Sequence, residues 1–238
     1  MRKVAVIPAR YNSKRFPGKV IAPILSRPML VWAYEAAVKS NAFDTVRVAT
    51  DCIRVSDVCD HYGVASIMTK QGHTSGSSRV YEVAKELGLS APDVVVNIQA
   101  DEPCILSDDI AALCLYMEQH PRCQCATLAA RSLSIQNDNR VKVAIDLNGR
   151  ALYFSRASIP YGAETWLVHV GVYAYRYSAL DLMQSLAPSP NEQAEKLEQL
   201  RLLDNGVDID IVETKSIYHA VDVPEDVVRV EEILRGRQ

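Results

Sequence analysis

The 238-residue chain is 48% hydrophobic and 23% charged, the balance of a soluble globular protein. A net charge of −3 argues against a nucleic-acid partner, which calls for a broad basic surface, and no apolar run approaches the length of a membrane span. The length suits one large α/β domain, or one domain with a small extension.

The opening Met1–Pro8 run is too short for a secretion signal and reads as a strand over 3–8. Helical spacing of Met29, Trp32, Ala33, Ala36 and Ala37 predicts a helix over 28–40. Strands over 45–50 and 64–68 flank a helix over 53–62. A helix over 77–87, a doubly buried strand over 94–99 and a helix over 107–119 follow. This alternation implies βαβ units, hence an α/β fold with a mostly parallel sheet and helices on both faces. Beyond residue 120 the rhythm changes: strands are expected over 126–129, 141–146, 151–154 and 168–175 without intervening helices. A small antiparallel arm is expected there, with 120–175 an extension for dimerisation. Helices over 179–186 and 191–205 come next, the second ended by Gly206. A strand over 208–213 and a helix over 224–234 close a single unit, 1–238. Six cysteines fall mostly inside these elements with no CxxC pair, so reduced packing thiols and a cytoplasmic location are expected.

The densest chemistry follows the first strand: Arg10, Lys14, Arg15 and Lys19 put four cations in ten residues. They lie at the carboxyl edge of the sheet, where open α/β folds bind ligands. Arginine offers paired donors and lysine a point charge, the combination that suits a triphosphate, although a solvated basic loop has the same composition. Ser13 and Val20 break the GxxxxGK[ST] pattern, and no GxGxxG is present. Asp101 ends the apolar run 94–98 at the same edge and is a candidate metal ligand on those grounds alone. Asp222, just before the last helix, reads equally well as a helix cap. His61, His73, His120 and His219 show no metal-ligand spacing and receive no role.

The segment Pro8-Ala9-Arg10-Tyr11-Asn12-Ser13-Lys14-Arg15-Phe16-Pro17-Gly18-Lys19 resembles the hallmark of the CMP-sugar synthetases, and specifically of the 3-deoxy-manno-octulosonate (Kdo) cytidylyltransferases. The resemblance continues through Thr50-Asp51, His73-Thr74-Ser75-Gly76, Asn97-Ile98-Gln99-Ala100-Asp101-Glu102-Pro103, Tyr153-Phe154-Ser155-Arg156, His169-Val170-Gly171-Val172-Tyr173, Leu197-Glu198-Gln199 and Val221-Asp222-Val223-Pro224. It implies a Rossmann-like nucleotidyltransferase fold and transfer of CMP from CTP to the anomeric hydroxyl of an acidic sugar, with Kdo the first expectation. Arg10, Arg15 and Lys19 are then phosphate ligands and, with Asp101, the catalytic set. Ala9, Ser75, Gly76, Arg79 and Gln99 would read the cytosine and ribose. Asp101 and Asp222 would hold Mg2+, which carries much of the charge neutralisation in phosphoryl transfer. Arg156, His169, Tyr173, Glu198 and Gln199 would face the acceptor by this resemblance, whereas each alone reads better as a packed or solvated residue. A homodimer is also implied.

Three positions depart from the family pattern: Ala100 replaces a glycine, Ser78 a carboxylate and Val223 a threonine, and the stretch 160–169 is shorter than expected. These leave an amino-substituted Kdo, another nonulosonic-type acid or a small phosphonate acid as alternative acceptors. An inactive nucleotide-binding homologue is the alternative of another class, opposed by retention of the whole charged set.

Overall fold

The computed structural model describes residues 1–133, 140–216 and 218–237. Strand β1 (Lys3–Pro8) leads through a loop to a 3-10 turn (Lys19–Ile21) and a small hairpin, β2 (Pro23–Ile24) and β3 (Arg27–Pro28). Helix α1 (Met29–Lys39), β4 (Thr45–Thr50), α2 (Ile53–His61), β5 (Ser66–Met68), α3 (Gly76–Glu86), β6 (Val94–Ile98) and α4 (Ser107–Gln119) continue the alternation. The second half has β7 (Cys125–Ser132), β8 (Lys142–Ile145), β9 (Ala151–Ser155), β10 (Trp166–Arg176), α5 (Tyr177–Ser185), α6 (Pro190–Glu195), α7 (Leu200–Asp204), β11 (Ile209–Thr214) and α8 (Asp226–Arg235).

The main sheet runs β11-β7-β10-β6-β1-β4-β5, with β8 joined to β10 and β9 joined to β8. Pairs β6–β1, β1–β4, β4–β5 and β7–β11 are parallel. Strand β10 is antiparallel to both of its neighbours, β6 and β7. Hence β7 and β10, read from sequence as arm strands, are inner strands of the main sheet, and the antiparallel β8–β9 hairpin is joined to it through β10. Residues 134–139 of the expected extension lie outside the described residues.

Period-two alternation builds two cores. Ala5, Ile7, Val94, Val96 and Ile98 face one way, toward Leu30 of α1, Val55 of α2, Leu113 of α4 and Val230 of α8. Val4, Val6 and Val95 face the other, toward Val80 and Val83 of α3, Leu180 of α5 and Leu200 of α7. Helices therefore cover both faces, and binding falls to the sheet's edge. Among the described residues no helix is long and apolar enough to cross a membrane.

The helix expected over 191–205 is two helices. Ser189 and Glu192 form a capping box that starts α6, and Lys196, left-handed at φ 56°, ends it. The buried Leu197, Leu200 and Leu202 would span about 200° of a continuous helix, too wide for one buried stripe. The break turns all three inward, and Arg201 holds it by pairing with Glu192 at 2.5 and 2.7 Å.

Candidate active site

The carboxyl ends of β1, β4 and β6 open on one edge, and three loops meet there. The loop after β1 closes on itself: the Gly18 N–H donates to the Tyr11 carbonyl at 2.9 Å. Gly18 sits at φ +73°, and a Cβ there would stand 3.3 Å from the Tyr11 ring, so glycine meets both constraints. Arg54 lies over the outer face of that ring, 5.4 Å from its centre. The closed loop presents Lys19 inward at 13% side-chain exposure and leaves Arg10 and Arg15 exposed at its rim.

Lys19 is the centre of the arrangement. Its Nζ contacts Asp101 Oδ2, lies 3.8 Å from Asp222 Oδ1, and donates to the Val221 carbonyl at 3.0 Å. Arg15 donates to Asp222 Oδ1 at 2.8 Å. The Val221 N–H also bonds the Asp101 carbonyl at 2.9 Å, lacing the segment before α8 to the end of β6. Asp222 does not cap α8. Asp226 does the local work instead, its Oδ2 accepting the N–H groups of Asp222 and Val223 at 2.8 and 3.0 Å. The Asp222 carboxylate is thereby turned toward the loop after β1.

Beside Lys19 lies a cleft of about 180 Å³ lined by Pro8, Arg10, Val20, Ser75, Gly76, Arg79, Gln99 and Asp101, among others. The amino end of α3 forms one wall, where Ser75 caps the helix by accepting the Ser78 N–H at 3.2 Å. Arg79 is 3% exposed and already compensated: it pairs with Asp51 at 3.0 Å and bonds Thr69. Its charge fixes the wall more than it is offered outward. Gln99 donates to Asn97 at 3.0 Å, and a Cβ at Gly76 would stand 3.6 Å from its amide nitrogen. Ala9 is fully buried with its N–H committed to the Ala49 carbonyl at 2.8 Å, which leaves only its own carbonyl to offer. His73, given no role from sequence, lines this cleft too. Its ring nitrogens are engaged by Ser78 Oγ at 3.0 Å and Glu82 at 2.5 Å. Ser78, standing where a carboxylate was expected, passes the network on to the Ser75 carbonyl at 3.0 Å.

The acceptor candidates form an adjoining group. A bulge in β10 between Val170 and Tyr173 brings Gly171 against Gln99, 3.5 Å from the position a Cβ would take. Thr127 fills the bulge, donating to the Val172 carbonyl at 2.7 Å, which leaves its oxygen to accept from His169 Nε2 at 3.0 Å. Burial pushes the His169 pKa down to about 3, so the ring is neutral. Tyr173 lies alongside, its ring tilted at 45° and its centre 5.1 Å from that of His169, and burial raises its phenol well above the usual range. Glu198 accepts a 2.6 Å hydrogen bond from Ser77 in the first turn of α3, tying this group to the α3 wall of the cleft. Gln199 is buried where α7 begins, and Arg156 is exposed just past β9.

Residues 4–209 match the cytidylyltransferase family model. The chain belongs to the cytidylyltransferase family. It is 44% identical to a 3-deoxy-manno-octulosonate cytidylyltransferase of Nitratidesulfovibrio vulgaris (strain DP4), covering 97% of this chain and 95% of the relative. A protein of the same name from Chlamydia abortus (strain DSM 27085 / S26/3) is 43% identical, covering 98% and 94%. A CMP:2-keto-3-deoxy-manno-octonic acid synthetase solved in complex with CTP aligns over 100% of both chains, at a TM-score of 0.92 and 36% identity.

The cytidylyltransferase's acidic pair suits a divalent cation. Asp101 and Asp222 come from chain segments over a hundred residues apart and both approach one positive centre, Lys19 Nζ. Among the described residues no three His, Cys, Asp or Glu side chains converge, so there is no all-protein cage of the kind zinc or calcium takes. Two carboxylates beside a cleft that Arg10 and Lys19 also line would suit magnesium, which keeps waters and borrows phosphate oxygens. Next to Asp101 in the chain, Glu102 buries one carboxyl oxygen that has no hydrogen-bond partner among the described residues, and burial together with Asp101 raises its pKa to about 8.

Proposed function

We propose that this cytidylyltransferase transfers CMP from CTP to the anomeric hydroxyl of Kdo, with Mg2+, releasing CMP-Kdo and pyrophosphate. The reading rests on one observation above others: Lys19, Asp101, Asp222 and Arg15 meet at the mouth of the sheet, beside a cleft walled by the amino end of α3. The acceptor follows the relatives that carry this name along nearly their whole length.

In this scheme Arg10, Arg15 and Lys19 neutralise the triphosphate, with the arginines matching pairs of oxygens. The first turn of α3 adds unpaired backbone N–H groups, which favour an anion. Gln99, Ser75 and the Ala9 carbonyl take the nucleoside. The acceptor hydroxyl forms a bond to the α-phosphorus while the bond to the β-phosphate oxygen breaks, and charge moves onto pyrophosphate. Magnesium held by Asp101 and Asp222 would spread the phosphate charge and acidify the attacking hydroxyl. Arg156 supplies the cation for the acceptor's carboxylate, and neutral His169, Tyr173, Glu198 and Gln199 line the sugar side.

The β8–β9 hairpin exposes Leu147 and Leu152, and Tyr161 follows close behind; such a patch supports pairing with a second copy. Six unpaired cysteines fit a reducing cytoplasm. An acceptor panel of Kdo, an amino-substituted Kdo, a nonulosonic acid and a small phosphonate acid, scored by CTP-dependent pyrophosphate release, tests the assignment. Kdo is expected to be turned over best. Turnover of the phosphonate but not Kdo overturns the acceptor, and no turnover of any acid overturns the reaction.

A further inference from the structure

Lys142, the first residue of β8, is 1% exposed. Burying an ammonium costs several kcal/mol unless its donors are met, and a methionine would fill the same space without that cost. Its Nζ donates to two backbone carbonyls, Arg140 at 2.8 Å and Arg156. The Arg156 N–H is taken from the other side by Glu195 Oε2 at 3.0 Å. Glu195 Oε1 accepts the hydroxyl of Ser155 at 2.5 Å, and Ser155 Oγ in turn accepts the Ala157 N–H at 2.9 Å.

The result is unusual for an exposed residue one step beyond a strand end. Such backbone is ordinarily solvated and loose. Here both backbone polar groups of Arg156 are held by charged side chains, one from the sheet interior and one from α6. Charge-assisted hydrogen bonds of this kind are stronger than neutral ones. Glu195 is also the last residue of α6, directly before the left-handed Lys196 that sends Glu198 onto Ser77. One short helix therefore sets the positions of Arg156 and Glu198 together.

We propose that Lys142 and Glu195 are positioning residues for the acceptor, clamping the Arg156 backbone so that its guanidinium meets the sugar carboxylate at a fixed place. The proposal rests on the assignment of Arg156 to the acceptor made above. A misplacement of about 1 Å at a reacting pair can cost up to a hundredfold in rate.

The test measures steady-state kinetics with CTP and Kdo for Lys142→Met, Glu195→Ala, Arg156→Ala and the double variants with Arg156→Ala. Lys142→Met and Glu195→Ala should each raise KM for Kdo about tenfold and leave KM for CTP within about twofold. Neither should add to the effect of Arg156→Ala, because a residue acting through another has nothing left to act on. A merely structural role lowers the thermal midpoint but does not separate the two substrates or vanish in the double variants. If Lys142→Met fails to fold, Glu195→Ala, at a half-buried helix end, carries the same comparison. Parallel changes in both KM values, or effects that multiply with Arg156→Ala, overturn the clamp. A raised KM in Arg156→Ala alone overturns the clamp and leaves the Arg156 assignment standing; an unchanged KM there overturns both.

Discussion

Replacing Asp101 by asparagine separates the chemistry of the site from its architecture. The amide is nearly isosteric, and the carbonyl of residue 101 that accepts the Val221 N–H at 2.9 Å is untouched. What is lost is one anionic oxygen beside Lys19 Nζ, in a pair whose side chains are 13% and 26% exposed. Lys19 keeps the Val221 carbonyl at 3.0 Å and Asp222 at 3.8 Å, so its charge is not stranded. Partial exposure keeps the loss near 1 kcal/mol, about 3 °C in thermal midpoint for a chain of this length. Removing one negative neighbour of Glu102 offsets part of even that. Activity should respond on another scale. Losing a carboxylate from a two-carboxylate metal site removes several kcal/mol of charge stabilisation, about a thousandfold in kcat/KM for roughly 4 kcal/mol. Pyrophosphate release across a magnesium titration, beside a thermal melt, reads both. An Asp101→Asn protein that melts normally and keeps near-normal turnover in magnesium would refute the metal assignment.

Lys19→Ala should raise KM for CTP at least about tenfold, since it deletes a phosphate-facing charge, while KM for Kdo stays put; unaltered CTP kinetics would remove Lys19 from the phosphate site. Glu102 has a folded pKa near 8 against an unfolded value of 4.5, so the native state holds the extra proton. Its contribution to stability is full below pH 4.5 and is lost as pH rises toward 8. Glu102→Gln should therefore melt higher than the parent at pH 8, with the gap closing toward pH 4.5, and a gap that does not change with pH contradicts the burial argument. His169 behaves with the opposite sign. Its folded pKa of about 3 lies below the unfolded 6.5, so its stabilisation is present above pH 6.5 and falls away as pH drops toward 3. Its imidazole nitrogen resonances should stay those of a neutral ring from pH 7 to pH 5, and a midpoint near 6.5 would mean that the ring is solvated.

Much of this was legible because local pattern and tertiary demand agree. The continuous apolar runs of β1 and β6 mark strands buried on both faces, and a carboxylate just beyond the end of such a strand must emerge at the edge, as Asp101 does. Other features left no local mark. The break between α6 and α7 falls at Lys196, where no glycine or proline announces it. It is imposed by three leucines that must all turn inward and by Arg201 reaching back to Glu192. The place of β10 in the central sheet depends on pairing with β6, more than seventy residues away, which no short-range signal encodes. His73 carries no metal-ligand spacing to mark it, because its partners are the Ser78 hydroxyl and Glu82.

Asp222 shows most clearly where sequence alone stops. An aspartate before a helix is equally a cap or a ligand, and nothing in its immediate neighbours decides between them. The choice is made four residues on, by Asp226, whose carboxylate accepts the N–H groups of Asp222 itself and of Val223 and so fixes the backbone from which the Asp222 carboxylate projects. With those donors met, the Asp222 carboxylate is left to be balanced by Arg15 and Lys19, both from the loop after β1. The two ends of the chain are thus joined by charge before any substrate arrives. Removing Asp226, itself outside the cleft beside Lys19, should on this logic loosen the backbone at Asp222 and slow turnover nearly as far as removing Asp222; pyrophosphate release by the Asp226→Ala and Asp222→Ala proteins compares the two, and unaltered turnover in Asp226→Ala refutes the linkage.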